Sequence, residues 1–227
     1  MSRSQGRQVP VDQGPPPRRS PGAGGSVARR VPWWGLASSA AAPLLLIGGW
    51  TVAAVVQPVP FDAVVRTISD LAARDAAHRW LMTMALVGVG VCHLVTSCAL
   101  GCAAVAGRLV LALGGLATIL VAAFPLPGGS GSASAHTVAA AVAFVSLALW
   151  PAFAWVRPPA SGPTVSVLLR PKTSVAAASV LLLLLAWFFV EQLGGGTMVG
   201  LSERAAAGTQ AVWPLAVVLS ARRTGQT

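Results

Sequence analysis

The sequence predicts an all-α, polytopic membrane protein, a bundle of six transmembrane helices with a short outer amphipathic helix between helices 1 and 2. Two features of composition support this fold class. Only 10% of the 227 residues are charged, whereas roughly a quarter of the residues are charged in a typical soluble domain. Apolar residues make up 55% of the chain and the mean hydropathy is +0.71. This composition excludes a disordered chain, a collagen-like repeat and an ordinary water-soluble enzyme.

The chain begins with a basic segment, residues 1–32, that contains six arginines and six prolines. It has too little apolar surface to bury, so we expect a disordered cytoplasmic tail. A signal peptide has an apolar stretch of about 7–15 residues, and the apolar run that follows this tail is much longer. The first helix is therefore expected to remain as an uncleaved anchor.

Six windows have the length of about 20 largely apolar residues that a helix needs to cross a bilayer. They cover residues 34–56, 80–103, 107–125, 137–156, 174–192 and 204–221. Between them stand residues that end helices: Pro58 and Pro60, Gly107, Pro125 and Pro127, Pro158 and Pro159, and Gly194 to Gly196. The sequence thus predicts a six-helix transmembrane domain over 33–222 and a short cytoplasmic tail over 223–227.

The basic residues predict the orientation, because Lys and Arg are retained on the cytoplasmic side of a membrane. With the N-terminus inside, 12 basic residues fall in cytoplasmic segments and 4 fall in outer loops. We therefore expect a multi-pass protein of the plasma membrane with both termini in the cytoplasm. This distribution explains the net charge of +10 without nucleic acid as a partner. Tryptophans would form the interfacial belts: Trp33, Trp34 and Trp155 inside, and Trp50, Trp80 and Trp187 outside.

Charged residues recur at intervals of four in the first outer loop: Asp62, Arg66, Asp70, Arg74 and His78. Apolar residues occupy the opposite stripe, so this pattern predicts an amphipathic helix on the membrane surface. Two interpretations of the charges stay open. They form a solvated ladder of ion pairs that covers the bundle, or Asp70 turns inward to a site between the helices.

Polar residues near the outer ends of the helices are candidates for a binding site. His136 follows the outer loop between the third and fourth windows, where it serves either as a capping or interface residue or as a ligand-binding group. Glu203 and Gln210 are seven residues apart and share one face of the last helix, which we expect to point into the bundle because lipid does not tolerate an unpaired amide. Glu191 ends the fifth window at the same level.

His93 lies deep in the second window, about 20 Å along the helix from Trp80. Thr96 and Ser97 share its face, so we expect the histidine to point into the bundle. An ionisable group inside the membrane is a functional candidate by default; the alternative is a neutral histidine that is hydrogen-bonded between helices. The three cysteines are most simply packing residues, and the sequence predicts no metal site and no cofactor.

Several short motifs together carry a family resemblance. They are Thr67-Ile68-Ser69-Asp70-Leu71-Ala72, Arg79-Trp80-Leu81-Met82, His93, Phe124-Pro125, His136-Thr137, Glu203-Arg204 and Gln210. Over about residues 36–221 the chain resembles a bacterial integral-membrane family known as domain of unknown function 998. The resemblance implies a six-helix membrane protein with an outer polar cluster, and it implies no particular reaction.

Three functions are compatible with these features. The favoured one is a non-enzymatic protein that binds or moves a small or lipidic ligand through an outward-facing polar pocket. The second is a membrane-embedded lipid hydrolase in which His and carboxylate groups activate water, and the third is an accessory subunit without catalytic activity. Membrane lipid is the expected partner, and neither a catalytic residue nor an oligomeric state follows from the sequence. The candidate ligand-binding residues are Asp70, His93, His136, Glu191, Glu203 and Gln210.

Overall fold

A computed structural model of the chain describes residues 31–127, 133–158 and 164–224. All regular structure in these ranges is helical. The helices are α1 (Trp33–Val55), α2 (Ile68–Leu71), α3 (Trp80–Ala99), α4 (Val105–Ala123), α5 (Ser134–Ala154), α6 (Pro171–Gly194) and α7 (Val199–Thr224), with a 3₁₀ turn (Val167–Leu169) before α6. Almost all of the predicted tail over 1–32 lies outside the described residues, as do the last three residues of the predicted tail over 223–227.

The six long helices coincide with the six apolar windows. Five of them, α1, α3, α4, α5 and α6, are long and apolar enough to cross a membrane. The prediction of an all-α protein with several possible membrane spans is therefore confirmed. Helix α7 is 26 residues long but is not one of these five, since it carries polar and charged residues at both ends and near its middle. A sixth crossing stays a prediction.

The segment between α1 and α3, called the outer segment because the sequence predicts that it lies outside the cell, differs from the amphipathic helix predicted through Asp62 and His78. Only the four residues of α2 are helical. The Asp62 carboxylate accepts hydrogen bonds from the backbone N–H groups of Val64 and Val65, at 2.9 Å and 3.4 Å, and so fixes a turn in place of a helix. At the other end His78 has a φ of 51°, outside the right-handed helical region. The four-residue spacing was misleading because the Asp62 and Asp70 side chains bond to local backbone.

The long helices form a closed ring in the order α1, α3, α4, α5, α6, α7 and back to α1. Neighbours in sequence run antiparallel, because a Cβ on Gly35 at the start of α1 would meet Ala99 at the end of α3, and one on Gly107 at the start of α4 would meet Ala154 at the end of α5. Near the chain ends, Arg222 Nη1 donates a hydrogen bond of 2.9 Å to the Val31 carbonyl. The start of α1 and the end of α7 therefore lie at the same end of the bundle.

Helices α3 and α4 approach each other through glycines. A Cβ placed on Gly90 would lie 2.5 Å from the Gly115 carbonyl oxygen, and a Cβ on Gly115 would lie 3.0 Å from the His93 Cβ. Glycine at both positions permits this close approach, as small residues do between membrane helices. The contact fixes the face of α3 that carries His93 against the interior of the ring.

Candidate functional site

A buried carboxyl group joins the first turns of α7 to the short helix α2. The Glu203 side chain is only 3% exposed. Its Oε2 accepts a hydrogen bond from the Ile68 backbone N–H, one of the N–H groups that a helix start leaves without an intrahelical partner. Its Oε1 lies 3.4 Å from the Ser69 hydroxyl. Glu203 therefore holds the start of α2 on the outer end of the bundle.

Arg204 holds the segment before α2 in the same place. Its Nη1 donates to three carbonyl oxygens, of Ala63 at 2.9 Å, of Arg66 at 2.8 Å and of Gly200 at 2.9 Å. Its guanidinium also lies over the Phe61 ring, at 5.7 Å from the centroid. Adjacent residues of α7 thus bind two successive parts of the outer segment.

Ser69 connects Glu203 to His136. The Ser69 Oγ lies 3.2 Å from His136 Nε2, and His136 Nδ1 lies 2.8 Å from the Phe124 carbonyl oxygen. A carbonyl oxygen only accepts hydrogen bonds, so Nδ1 carries a proton in this arrangement. Glu203, Ser69 and His136 thus form one connected row of polar groups, called the polar chain below. It joins α7, α2 and α5 with the end of α4.

Five of the long helices, α1, α3, α4, α5 and α7, line a cavity of about 60 Å³ together with the short helix α2. Most of its walls are apolar. Its polar lining residues are Ser69, His93, Thr118, Glu203 and Gln210, which come from α2, α3, α4 and α7. The volume accommodates a few water molecules or a ligand of similar size. It is well below the roughly 300 Å³ at which pockets for drug-sized ligands begin.

Two residues that line this cavity carry unpaired polar atoms. His93 is 1% exposed and neither ring nitrogen has a hydrogen-bond partner in the described part of the protein. The Gln210 amide is oriented by a bond of 3.1 Å from its Nε2 to the Phe144 carbonyl, which leaves Oε1 unpaired. A buried polar group without a partner costs about 1–3 kcal/mol. The lining of the cavity is therefore suited to a hydrogen-bonding occupant.

Burial raises the pKa of Glu203 to about 7 from its ordinary value of 4.5. The residue stands one position before the predicted sixth span and outside the five candidate spans. The hydrogen bond from the Ile68 N–H and the positive charge of Arg204 lower the pKa of Glu203. The negative charge of Asp70 raises it further. The carboxyl group thus keeps its proton to a higher pH than an exposed glutamate does.

Asp70 lies on the other side of α2. Its carboxylate accepts a hydrogen bond of 2.8 Å from the Thr67 N–H, while the Thr67 hydroxyl accepts one of 3.1 Å from the Asp70 N–H. This is a capping box. Asp70 also lines a separate outer pocket of about 360 Å³ with Arg66 and Asp75. Helix α2 therefore separates an outer polar pocket from the buried cavity.

Glu191 lies apart from both spaces. Its Oε2 accepts a hydrogen bond of 3.0 Å from the Met198 N–H, and its Oε1 accepts one of 3.4 Å from the Trp187 indole. The Met198 bond spans the turn between α6 and α7, which the left-handed Gly195 begins with a φ of 67°, whereas the Trp187 bond lies within α6. Glu191 is placed to shape this turn.

Of the six residues proposed from the sequence, His93, Glu203 and Gln210 line one cavity, and His136 reaches it through Ser69. Asp70 and Glu191 do not join them. Sequence reasoning did not single out Ser69, which lies at the centre of the polar chain. The spacing Thr67-x-x-Asp70 could have indicated it, because a capping box commits Asp70 to the helix start and leaves Ser69 to face elsewhere.

Metal ligation finds no support in this geometry. Across the ranges 31–127, 133–158 and 164–224, no three His, Cys, Asp or Glu side chains are close enough together to hold a metal ion. The polar chain contains a single histidine and a single carboxylate. These groups can support hydrogen bonding and proton exchange.

Comparison with known proteins gives one match. A family model described as "Protein of unknown function (DUF998)" matches residues 39–220, which is most of the chain and includes every residue of the polar chain and the cavity. No curated protein and no solved structure shows significant similarity to the chain.

Proposed function

The chain belongs to the DUF998 family of proteins of unknown function, and we propose that it is an integral membrane protein that binds or moves a small ligand through its interhelical cavity. One observation carries the proposal. His93 and Gln210, which carry unpaired buried polar atoms, line the same cavity as Ser69 and Glu203. Four polar side chains from three helices in one apolar enclosure form a site whose hydrogen-bonding capacity exceeds what the protein uses.

The dimensions and chemistry of the cavity define the ligand class. A volume of about 60 Å³ favours a molecule of a few non-hydrogen atoms over a lipid. Gln210 offers an acceptor oxygen, His93 offers one donor and one acceptor when neutral, and Glu203 accepts or donates according to its protonation. The ligand is therefore a small polar molecule with both donor and acceptor groups.

The proposed setting is the plasma membrane, with six crossings and both termini in the cytoplasm. The meeting of Val31 and Arg222 at one end of the bundle supports an even number of crossings. Trp33 and Trp80 begin the antiparallel neighbours α1 and α3, and they are 75% and 60% exposed. Two exposed tryptophans at opposite ends of a helix pair suit the two interfaces of a bilayer.

Mass spectrometry of small molecules and lipids retained after gentle purification tests the proposal. We expect a small polar molecule in stoichiometric amount with the wild-type protein. Gln210→Leu keeps a similar side-chain volume but removes the acceptor, so retention falls about tenfold for the loss of one hydrogen bond.

The matched control is Gln57→Leu. Gln57 also donates its amide to backbone carbonyls, of Ala53 and Ala77 at 2.9 Å each, but it lies outside the cavity and lines the outer pocket. Retention is expected to be unchanged in this variant. A protein that retains no small molecule, or one that retains the same amount in all three forms, contradicts the proposal.

A membrane-embedded hydrolase is the second candidate, and one observation favours it. The Ser69 hydroxyl lies 3.2 Å from His136 Nε2, a distance at which a histidine can act as the base for a serine nucleophile. The imidazole is oriented by a backbone carbonyl, however, and the carboxylate of Glu203 contacts the serine and not the histidine. Covalent labelling of Ser69 by a fluorophosphonate would support the hydrolase, and we expect no labelling.

A further inference from the structure

We propose that Glu203, Ser69 and His136 form a relay that holds one exchangeable proton and passes it between the cavity and the outer end of α5. The proposal starts from the position of the Ser69 hydroxyl. Its oxygen lies between His136 Nε2 at 3.2 Å and Glu203 Oε1 at 3.4 Å. A hydroxyl group has one proton to donate, so it can donate to only one of these neighbours at a time.

Which neighbour receives the hydrogen bond from Ser69 depends on whether a second proton is bound to Glu203 or to His136. His136 Nδ1 donates to the Phe124 carbonyl, so a neutral imidazole has only Nε2 as an acceptor. Ser69 then donates to His136, and Glu203 must be protonated on Oε1 to donate to Ser69. In the alternative state the imidazole carries a proton on each nitrogen, donates from Nε2 to Ser69, and Ser69 donates to the Glu203 carboxylate.

The two states contain the same atoms and the same number of protons. Going from the first to the second, the O–H bond of Glu203 breaks and its proton binds the Ser69 oxygen. The original Ser69 O–H bond breaks and its proton binds His136 Nε2. The carboxyl group becomes a carboxylate, the imidazole becomes a cation, and no other reactant is needed.

The two ends of the relay, Glu203 and His136, have different surroundings. Glu203 and Ser69 line the cavity, where His93 offers unpaired nitrogens. His136 is 6% exposed in the first turn of α5. The relay therefore connects the cavity interior with the outer end of the bundle, and it deepens the proposed function by making proton transfer the companion of ligand binding.

The charged groups around the relay are few. Asp70 of α2 and Arg204 of α7 act on Glu203 through their charges, with opposite effects. His93 of α3 lines the same cavity, whereas α1 and α4 contribute Leu46, Thr118 and Val121, none of which titrates. Both charged neighbours hold other hydrogen bonds, which keeps them in place when the relay changes state.

Infrared spectroscopy of the full chain in lipid nanodiscs tests the relay, with Glu203→Gln identifying the carboxyl band by its loss. Ser69→Ala removes a donor to the carboxylate and breaks the path to His136. We expect it to raise the pH midpoint at which Glu203 loses its proton by roughly one pH unit. His136→Gln removes the cation and is expected to raise the midpoint as well.

Two variants separate the relay from a structural role. Ser69→Thr keeps the hydroxyl and is expected to titrate like the wild type. Ser202→Ala removes a buried hydroxyl beside Glu203 that donates to the Val199 carbonyl at 2.9 Å, and it is expected to leave the midpoint unchanged. An unchanged midpoint in Ser69→Ala, or an equal shift in Ser202→Ala, overturns the relay.

A second measurement needs no variant in the chain. The sequence has only three histidines, so ¹⁵N NMR of the labelled wild-type protein resolves the His136 ring. The relay requires that neutral His136 carries its proton on Nδ1, and a proton on Nε2 overturns it. A failed relay with a ligand still retained by the cavity leaves the proposed function intact, whereas a working relay without any retained ligand contradicts the proposed function alone.

Discussion

At the scale of residues, Glu203 combines a structural bond with a titratable group. Its Oε2 fixes the start of α2 while its Oε1 faces Ser69, so one carboxyl group both positions the outer segment and belongs to the polar chain. A buried carboxyl with only neutral donors and one adjacent arginine is neither fully ionised nor inert at neutral pH. That combination is typical of functional carboxyl groups.

The raised pKa of Glu203 predicts how stability varies with pH. The folded-state pKa of about 7 exceeds the ordinary value of 4.5, so the folded protein binds more protons than the unfolded protein between these values. Stability therefore falls as pH rises through this window. Relative to Glu203→Gln, the wild type is expected to lose on the order of 1–3 kcal/mol between about pH 5 and pH 8.

Apparent melting temperatures of both proteins in the same detergent check this. Every other titratable group is common to the two chains, so the difference between the two melting temperatures reports on Glu203. A difference that stays constant with pH, or that grows in favour of the wild type as pH rises, contradicts the raised pKa.

At the scale of elements, the long helices were predictable, whereas the predicted helix through Asp62 and His78 reduces to the four residues of α2. Runs of apolar residues bounded by Pro and Gly mark the helices because every backbone polar group in a bilayer must be paired within the segment. The outer segment is governed by local bonds of Asp62, Thr67 and Asp70, which periodicity does not report. The site was half predictable for the same reason: His93 and Gln210 stand out within apolar helices, whereas Ser69 depends on how α2 folds.

The approach of α3 to α4 gives a prediction at this scale. Gly90→Ala places a methyl group against the Gly115 carbonyl and Ile119, and overpacking of this kind costs typically about 1–3 kcal/mol. Gly48→Ala is the matched control, because a Cβ there meets no atom within 4 Å. Alanine is favoured over glycine in a helix by about 1 kcal/mol, so Gly48→Ala is expected to be neutral or stabilising. Thermal unfolding in detergent measures both, and equal effects contradict the packing.

At the scale of the whole molecule, the ring of six long helices has two unlike ends. One end carries the outer segment, α2 and the polar chain, and the other joins the start of α1 to the end of α7. Five helices qualify as spans on their own, while α7 brings Glu203, Arg204 and Gln210 to the site. The helix least suited to lipid is thus the one that supplies most of the site. It packs against α1 and α6, which cover part of its surface.

The orientation of this ring predicts which positions a membrane-impermeant maleimide labels in intact cells. In a cysteine-free background, Val59→Cys lies in the segment before α2 and Arg157→Cys follows α5, and both positions are exposed. We expect labelling of Val59→Cys only, with Arg157→Cys labelled after the cells are opened. The reverse pattern would place the polar chain on the cytoplasmic side, and labelling of both in intact cells would contradict the three crossings of α3, α4 and α5 that separate the two positions.

The occupancy of the cavity is measured most directly by an experimental structure of the full chain in lipid at a resolution that reveals water-sized molecules. We predict density inside the cavity within about 3 Å of a His93 ring nitrogen and of Gln210 Oε1. The same density is expected to shift or disappear in Gln210→Leu. A cavity without density, in which His93 and Gln210 bond instead to neighbouring protein groups, would contradict a ligand site between these helices.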